Sequence, residues 1–500
     1  MSQDVDGAYD EFTLRDFGRL LDSGSLSSAD LVGYYLDRIA RLDRAGPNLN
    51  ALLHLEEDAL REAEALDRER GRGNARGILH GIPILVKANI DIASPSLPTT
   101  AGSLALKGFV APSDAPLVGE LRKAGAIIIG TTNLSEWANF RSNRSTSGWS
   151  SEGGQTRNPY ALDRNPSGSS SGSAVAVSAN LCALAVGTET DGSIVSPASV
   201  NGIVGIKPTV GLVSGEGIIP ISASQDTAGP MARTVEDAAL LLAAMAGGGS
   251  ARGRELAAFL ETRPGQGGLA GLRIGVARNF AGFDSEVDRV FEASLDALRG
   301  LGAELIETAF APSEELAEAE FELMFYEFKD GLERYLRNHG QKSGLRDLAD
   351  LIAFNEDHAA ELMPWFGQEI FLKAAAKGPL SEEGYQKARK TCLALAREGG
   401  IDASMDGASL DAIVAPSGGP AWKTDYFLGD KHIGGCATPA AVAGYPNLSL
   451  PAGFLHGLPV GLSIFGRAYS EAKLLRVALA FERATGARRK PAFAPSLDGW

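Results

Sequence analysis

Residues 115–130 read Ala-Pro-Leu-Val-Gly-Glu-Leu-Arg-Lys-Ala-Gly-Ala-Ile-Ile-Ile-Gly. The spacing predicts a helix over 115–124 that runs into a short apolar strand over 126–130. Upstream, Ile82 to Val86 is another apolar run, beside Gly81 and Pro83, and reads as a buried strand. The alternation recurs downstream: helices over 235–246 and 285–301, and strands over 272–277, 410–415 and 447–452. Alternating strands and helices predict an α/β architecture. Two short helices over 12–43 come first, capped by Thr13 and by Ser27 or Ser28, and a charged helix over 56–70 follows. A long helix over 313–338 sets Phe321, Phe325, Phe328 and Leu332 on one face. Such a stripe packs a core or lines a ligand pocket. Gly247-Gly248-Gly249-Ser250 ends the helix at 235–246 and opens a polar passage to about 270, the best candidate for a domain boundary. No internal repeat is detectable.

Composition narrows the function classes. With 47 Lys plus Arg against 62 Asp plus Glu, the net charge is −15. Nucleic-acid binding needs a basic face, so nucleic acid is not expected as a partner. Apolar residues at 44% and charged residues at 22% fit a globular chain. Cys182, Cys392 and Cys436 are too few and too scattered for a disulfide scaffold and read as core thiols. No apolar run is long enough to cross a membrane; the longest, Ser173 to Gly187, is Ala-rich and contains Ser178 and Asn180. The acidic start MSQDVDGAYDEF lacks a signal pattern. The expectation is a cytoplasmic protein, or one whose leader has already been removed. Residues 141–233 are dense in Gly, Ser, Thr, Asn and Pro, yet carry apolar stretches at 174–187 and 202–206. A flexible linker would not carry such stretches, whereas close-packed small residues in a core would.

Four features bear on chemistry. His54, His80, His339, His358, His432 and His456 are all isolated, with no HExxH and no Cys/His pair at metal spacing, which favours metal-free chemistry. Gly168-Ser169-Ser170-Ser171-Gly172 matches G-x-S-x-G, but a turn precedes it where a nucleophile elbow needs a strand. Lys87 ends the run 82–86. It either snorkels to water or is desolvated, and a desolvated lysine can act as a neutral general base. Gly187-Thr188-Glu189-Thr190-Asp191-Gly192-Ser193-Ile194-Val195 is either a plain capped turn or a set of converging N–H groups beside a serine nucleophile.

Together these segments resemble the amidase signature family, the Ser–Ser–Lys amide hydrolases. The resemblance rests on Gly81-Ile82-Pro83 leading to Lys87, on Gly168 to Ser173, and on Gly187 to Ser193. Ser169 and Ser193 stand 193 − 169 = 24 residues apart. Gly202 to Thr209, Asp226 to Arg233 and Gly457 to Gly461 continue the match, which spans about 12–490.

The resemblance implies one large α/β/α domain over 1–500, a mixed β-sheet covered by helices, in which the boundary near 250 becomes a loop. It implies a catalytic core over about 75–235 and a helical substrate-side region over about 285–400. It also implies Ser193 as nucleophile, Ser169 as bridging serine in a cis peptide ahead of Ser170, and Lys87 as base. The N–H groups of Thr190, Asp191, Gly192 and Ser193 would form the oxyanion hole. No cofactor and no metal are implied. The expected partner is a small-molecule or peptide amide substrate, with no membrane and a monomer or homodimer. Segments 132–141, 153–160, 188–193, 326–329 and 351–355 resemble those of bacterial peptide amidases, which points to C-terminal peptide amides and release of ammonia. General and aryl-acyl amidases, and the A-type subunit of tRNA amidotransferases, share the same core. Ala88 departs from the pattern, since relatives usually carry an acidic residue after the lysine.

Overall fold

The computed structural model describes residues 7–247, 250–262, 268–309, 314–339 and 344–497. The chain opens with α1 (Leu14–Asp22), α2 (Ser28–Arg38), β1 (Leu52–Leu55), α3 (Ala59–Gly71), β2 (Pro83–Lys87), α4 (Pro116–Lys123) and β3 (Ile127–Thr132). Two-residue strands β4 (Trp149–Ser150) and β5 (Gly154–Gln155) pair with each other. Then come α5 (Ser171–Ser178), β6 (Leu184–Glu189), α6 (Val195–Val200), β7 (Val204–Lys207), β8 (Thr227–Ala232), α7 (Val235–Met245) and α8 (Ala251–Glu261). They are followed by β9 (Arg273–Ala277), α9 (Ser285–Gly300), β10 (Glu304–Thr308) and α10 (Glu314–His339). A helical stretch comprises α11 (Leu348–Asp357), α12 (Ala359–Leu362), α13 (Glu369–Ala375), α14 (Glu383–Leu393) and α15 (Asp402–Ala408). The chain closes with β11 (Ala412–Pro416), α16 (Ala437–Ala443), β12 (Asn447–Leu455), β13 (Leu458–Phe465) and α17 (Glu471–Thr485).

Eleven strands form one mixed sheet in the order β1-β3-β2-β6-β8-β7-β12-β13-β11-β9-β10. β2 lies parallel to both β3 and β6, so it is a central strand. β8 enters antiparallel between β6 and β7. β7 then pairs antiparallel with β12, joining the early strands to the late ones. Strands from both sides of residues 247–250 share this sheet, so the sheet is not divided there. Gly248 and Gly249 lie outside the described residues. The polar passage expected up to 270 contains α8, which buries only Leu256 and Leu260 as large apolar side chains, too few to show as a periodicity.

The two opening helices are capped as their sequences predict. Thr13 and Ser27 each close a capping box with the aspartate three residues on, Asp16 and Asp30. The Phe stripe of α10 grades from solvent into core. Phe321 is 43% exposed, while Phe328 and Leu332 are buried beside Trp137, Phe140 and Phe371. Phe328 stacks on Phe371 at 5.3 Å. The inner half of the stripe is therefore packing.

Helix α5 owes its place to small residues. All eight of its residues are buried, and it packs on β2, β3, β6 and β8. Gly172 N–H donates to the Asn133 carbonyl at 3.0 Å, and a Cβ there would collide with the carbonyl oxygens of Ala51 and Asn133. Backbone cannot yield as a flexible side chain can, so Gly172→Ala should cost about 3 kcal/mol. Gly119, inside α4, has no neighbour near its missing Cβ. Gly119→Ala should therefore stabilise by about 0.5–1 kcal/mol through helix propensity. Urea unfolding of the two variants beside wild type checks the pair.

Candidate active site

Lys87 ends β2 and is fully buried. Water does not reach it, so the desolvated reading holds and the snorkelling one does not. Its Nζ lies 2.8 Å from Ser169 Oγ, 3.0 Å from Ser170 Oγ, 2.8 Å from Thr188 Oγ1 and 3.2 Å from the Thr188 carbonyl. Burial pushes the amine down from its ordinary 10.5 to about 7, against the upward pull of Glu189 and Asp226. A neutral amine is thus accessible near neutral pH. Ala88, the departure from the family pattern, is buried, and its carbonyl accepts the N–H groups of Thr100 and Ala101. The polar contact beside the lysine comes instead from Asn89, whose Nδ2 donates to Thr188 Oγ1 at 3.1 Å.

Ser169 follows a cis peptide bond, Gly168–Ser169, one bond earlier than expected. A Cβ on Gly168 would strike Ser135 Oγ, which accepts the Gly148 N–H, so a larger residue there would displace that hydroxyl. Ser135 N–H donates to the Ser169 carbonyl at 3.1 Å. Ser170, the middle residue of the G-x-S-x-G match, is buried. Its Oγ donates to the Thr188 carbonyl at 2.9 Å and accepts the Thr188 N–H at 3.1 Å. That hydroxyl is committed to β6, which rules out an exposed elbow. Ser170 N–H donates to the Ser193 carbonyl at 3.1 Å, tying the start of α5 to the next turn.

The turn from Glu189 to Ser193 is clamped at three points. Glu189 Oε2 accepts the N–H groups of Ile194 (2.7 Å) and Val195 (3.0 Å). Thr190 Oγ1 donates to Asp226 Oδ1 at 2.6 Å, while Asp226 Oδ2 takes the N–H groups of Ile221 and Ser222. Thr438 Oγ1, in the first turn of α16, donates to Asp191 Oδ2 at 2.7 Å. Gly192 supplies the positive φ (+76°) that lets the chain reverse. Among the described residues, the N–H groups of Thr190, Asp191 and Ser193 have no acceptor. The Gly192 N–H faces the Glu189 carboxylate, so the four expected donors are not equivalent. Ser193 Oγ has no hydrogen bond among the described residues, and the residue is 8% exposed.

The expected residues Lys87, Ser169, Ser193 and the turn 190–193 thus converge at the ends of β2 and β6 and the start of α5. Other participants escaped the sequence reading. Asp226 lay inside a matched motif without a role, and Thr438 gave no local signal. Glu320 could have been flagged, because Glu320 and Glu327 recur at i, i+7 on a helix that also buries Leu316 and Leu323. Among the described residues no group of three or more His, Cys, Asp or Glu is placed to hold a metal ion, and no helix is long and apolar enough to cross a membrane. A cavity of about 490 Å³, lined by Asn48, Arg157, Asp163 and Tyr426 among others, shares no residue with this cluster.

The family described as Amidase matches residues 30–475. A chain of Arabidopsis thaliana described as a probable amidase is 40% identical over 512 residues, covering 97% of this chain and 92% of that one. The A-type subunit of the glutamyl-tRNA(Gln) amidotransferase of Symbiobacterium thermophilum is 34% identical over 490 residues, covering 93% and 95%. The native peptide amidase of Stenotrophomonas maltophilia is 49% identical with a TM-score of 0.90, covering 97% of this chain and 99% of that chain. A peptide amidase in complex with the competitive inhibitor chymostatin superposes with a TM-score of 0.92 at the same identity.

The buried lysine should register in stability. Its folded value of about 7 lies below its ordinary 10.5. Between those values the unfolded chain binds a proton that the folded chain does not, so folding gains stability as pH rises through that window. Below about 7 the cost is present in full. Lys87→Met lacks this dependence. The stability of wild type relative to Lys87→Met should therefore rise between pH 7 and 10.5 by several kcal/mol, on the order of 5. Urea unfolding of both proteins across that range measures it.

Proposed function

The chain belongs to the amidase family and is an amide-hydrolysing enzyme; from that premise we propose that it releases ammonia from C-terminal peptide amides through Ser193, Ser169 and Lys87. The observation that carries the reading is the water-free Lys87 amine at 2.8 Å from Ser169 Oγ. Neutral Lys87 accepts the proton of Ser169 Oγ as Ser169 takes that of Ser193 Oγ. Ser193 Oγ then bonds to the amide carbon, and the carbonyl π electrons move onto oxygen. The N–H groups of Thr190, Asp191 and Ser193 receive that charge, with Gly192 shared with Glu189; each well-placed donor is worth roughly 3 kcal/mol. The C–N bond breaks as Ser169 passes a proton to nitrogen and recovers one from Lys87, and ammonia leaves. Water, deprotonated by the same relay, then frees the acyl group from Ser193 as a carboxylate.

The preference for peptide amides is supported by the 49% identity to peptide amidases and by the segments noted in the sequence. We assign the acyl side to exposed Phe321 and half-buried Phe325, whose rings lie 6.1 Å apart. A site closed beyond the scissile nitrogen accepts NH₂ and rejects a further residue, because a clash is not offset by added contacts.

Two results are expected. Ser193→Ala abolishes turnover and labelling by a fluorophosphonate while circular dichroism stays native; an adduct mapped to Ser170 would refute the assignment. The rate falls on the acid side as Lys87 protonates below about 7, tenfold per pH unit in kcat/KM. For the substrate, one peptide is assayed as amide, as anilide and extended by one residue. Ammonia from the amide with the extended peptide intact supports the reading. Rapid anilide cleavage without ammonia from the amide moves the enzyme to the aryl-acyl amidases. Turnover that requires glutamine and added partner proteins moves it to the amidotransferases.

A further inference from the structure

Helix α10 is bolted to the turn that follows β6 through side chains the relay does not use. Asp191 accepts Thr438 Oγ1 on one side, and its carboxyl is within hydrogen-bond reach of the Glu320 carboxyl on the other. Glu320, only 4% exposed, also accepts Gln225 Nε2 at 2.7 Å. Gln225 Nε2 reaches back to the Thr190 carbonyl at 3.4 Å. Two helical turns on, Glu327 accepts Ser222 Oγ, Ser224 N–H, Ser224 Oγ and Tyr385 OH. The loop 222–226 is thereby fixed to α10, and that loop holds Thr190 through Asp226.

Two carboxyl groups in contact, largely removed from water, do not both ionise. Burial raises both, and the neighbouring Asp191 charge pushes Glu320 well above the usual carboxylate range. The groups facing Asp191 are Glu189 on β6, Lys207 on β7, Thr438 on α16 and Glu320 on α10. Those facing Glu320 are Asp191 and Gln225, with Cys392 of α14 nearby. Lys207 faces Glu189 and Glu471 as well as Asp191.

We propose that Asp191 and Glu320 share one proton and that this shared hydrogen bond is the positioning device that aims the N–H groups of the Thr190–Ser193 turn. Glu320 is then a positioning residue acting through Asp191, and the inference rests on the turn serving the oxyanion as described above. Hydrogen bonds to the oxyanion form in the transition state, so a misplaced turn lowers kcat and leaves KM nearly unchanged. The shared proton leaves as pH rises through the pair's raised value. The two carboxylates then repel, and the turn parts from α10. Glu320→Gln keeps the geometry, since its amide NH₂ donates to Asp191 and its oxygen still accepts Gln225, and it has no proton to lose.

The test measures kcat and KM on a carboxamide, and the rate of fluorophosphonate labelling of Ser193, across pH for wild type, Glu320→Ala and Glu320→Gln. Glu320→Ala should lose roughly 100-fold in kcat and in labelling rate, with KM within about twofold. Glu320→Gln should recover most of the rate near neutrality and lack the decline of wild type at rising pH. A Glu320→Ala effect confined to KM, or a Glu320→Gln profile that declines as wild type does, overturns the proposal. If Glu320→Ala does not fold, the wild-type and Glu320→Gln profiles decide alone. Labelling separates the two readings. The expected labelling pattern without amide turnover leaves the pair standing and removes the substrate assignment; amide turnover without that pattern removes the pair.

Discussion

A lysine amine kept from water at the end of a central strand is the constraint on which the rest of the structure depends. Lys87 is worth burying only where several oxygens can meet its nitrogen, and those oxygens must come from segments far away in sequence. Ser169 and Ser170 supply two from the start of α5, and Thr188 supplies two from β6. To bring α5 that close, its residues must be small, which is why Ser171 to Ser178 contains nothing larger than valine. β6 must also come close: a Cβ on Gly187 would lie 2.8 Å from Ser170 Oγ. Part of the Gly/Ser density of the middle segment is thus the packing requirement of one buried amine.

In the proposed mechanism the turn after β6 meets a second requirement, that donors be fixed before charge develops. Its carboxylates do this work by being buried and bonded. Glu189 is pushed up by burial and drawn down by Lys207 and by the backbone N–H groups it holds. Asp226 is pushed up by burial to about 6 and drawn down chiefly by Thr190. Lys207, itself fully buried and pushed down to about 8 by burial, keeps the acid cluster from being uniformly negative. The charges here are arranged to hold backbone, whereas the surface charge of the chain serves solubility.

Much of this was legible in sequence, and the failures share a cause. β2, β3, the capped helices α1 and α2 and the long helix α10 follow from apolar spacing and caps, because their signals are local. β8 does not read as a strand. Thr227–Ala232 contains Gly229 and Pro230, and only pairing with β6 and β7 makes it one. α8 hid behind a weak apolar face. Lys87, Ser169 and Ser193 take their expected roles from the family resemblance that their motifs carry, whereas Thr438 leaves no local signal and Glu320 only its i, i+7 recurrence with Glu327. Their partner Asp191 is more than a hundred residues away, and no local pattern encodes a contact of that range.

The pairing of β7 with β12 has a consequence for how the chain is made. Lys207 sits opposite Asn447, so β7 waits for a partner 447 − 207 = 240 residues downstream. At about 5–20 residues per second of synthesis, that is roughly 12 to 48 s. Throughout that interval the growing chain carries a half-sheet with one raw edge, an invitation to strand addition by a neighbouring nascent chain. Lys207 lies on that edge, where a charge discourages such pairing. Once β12 has paired, the same side chain is buried and faces Glu189, Glu471 and Asp191.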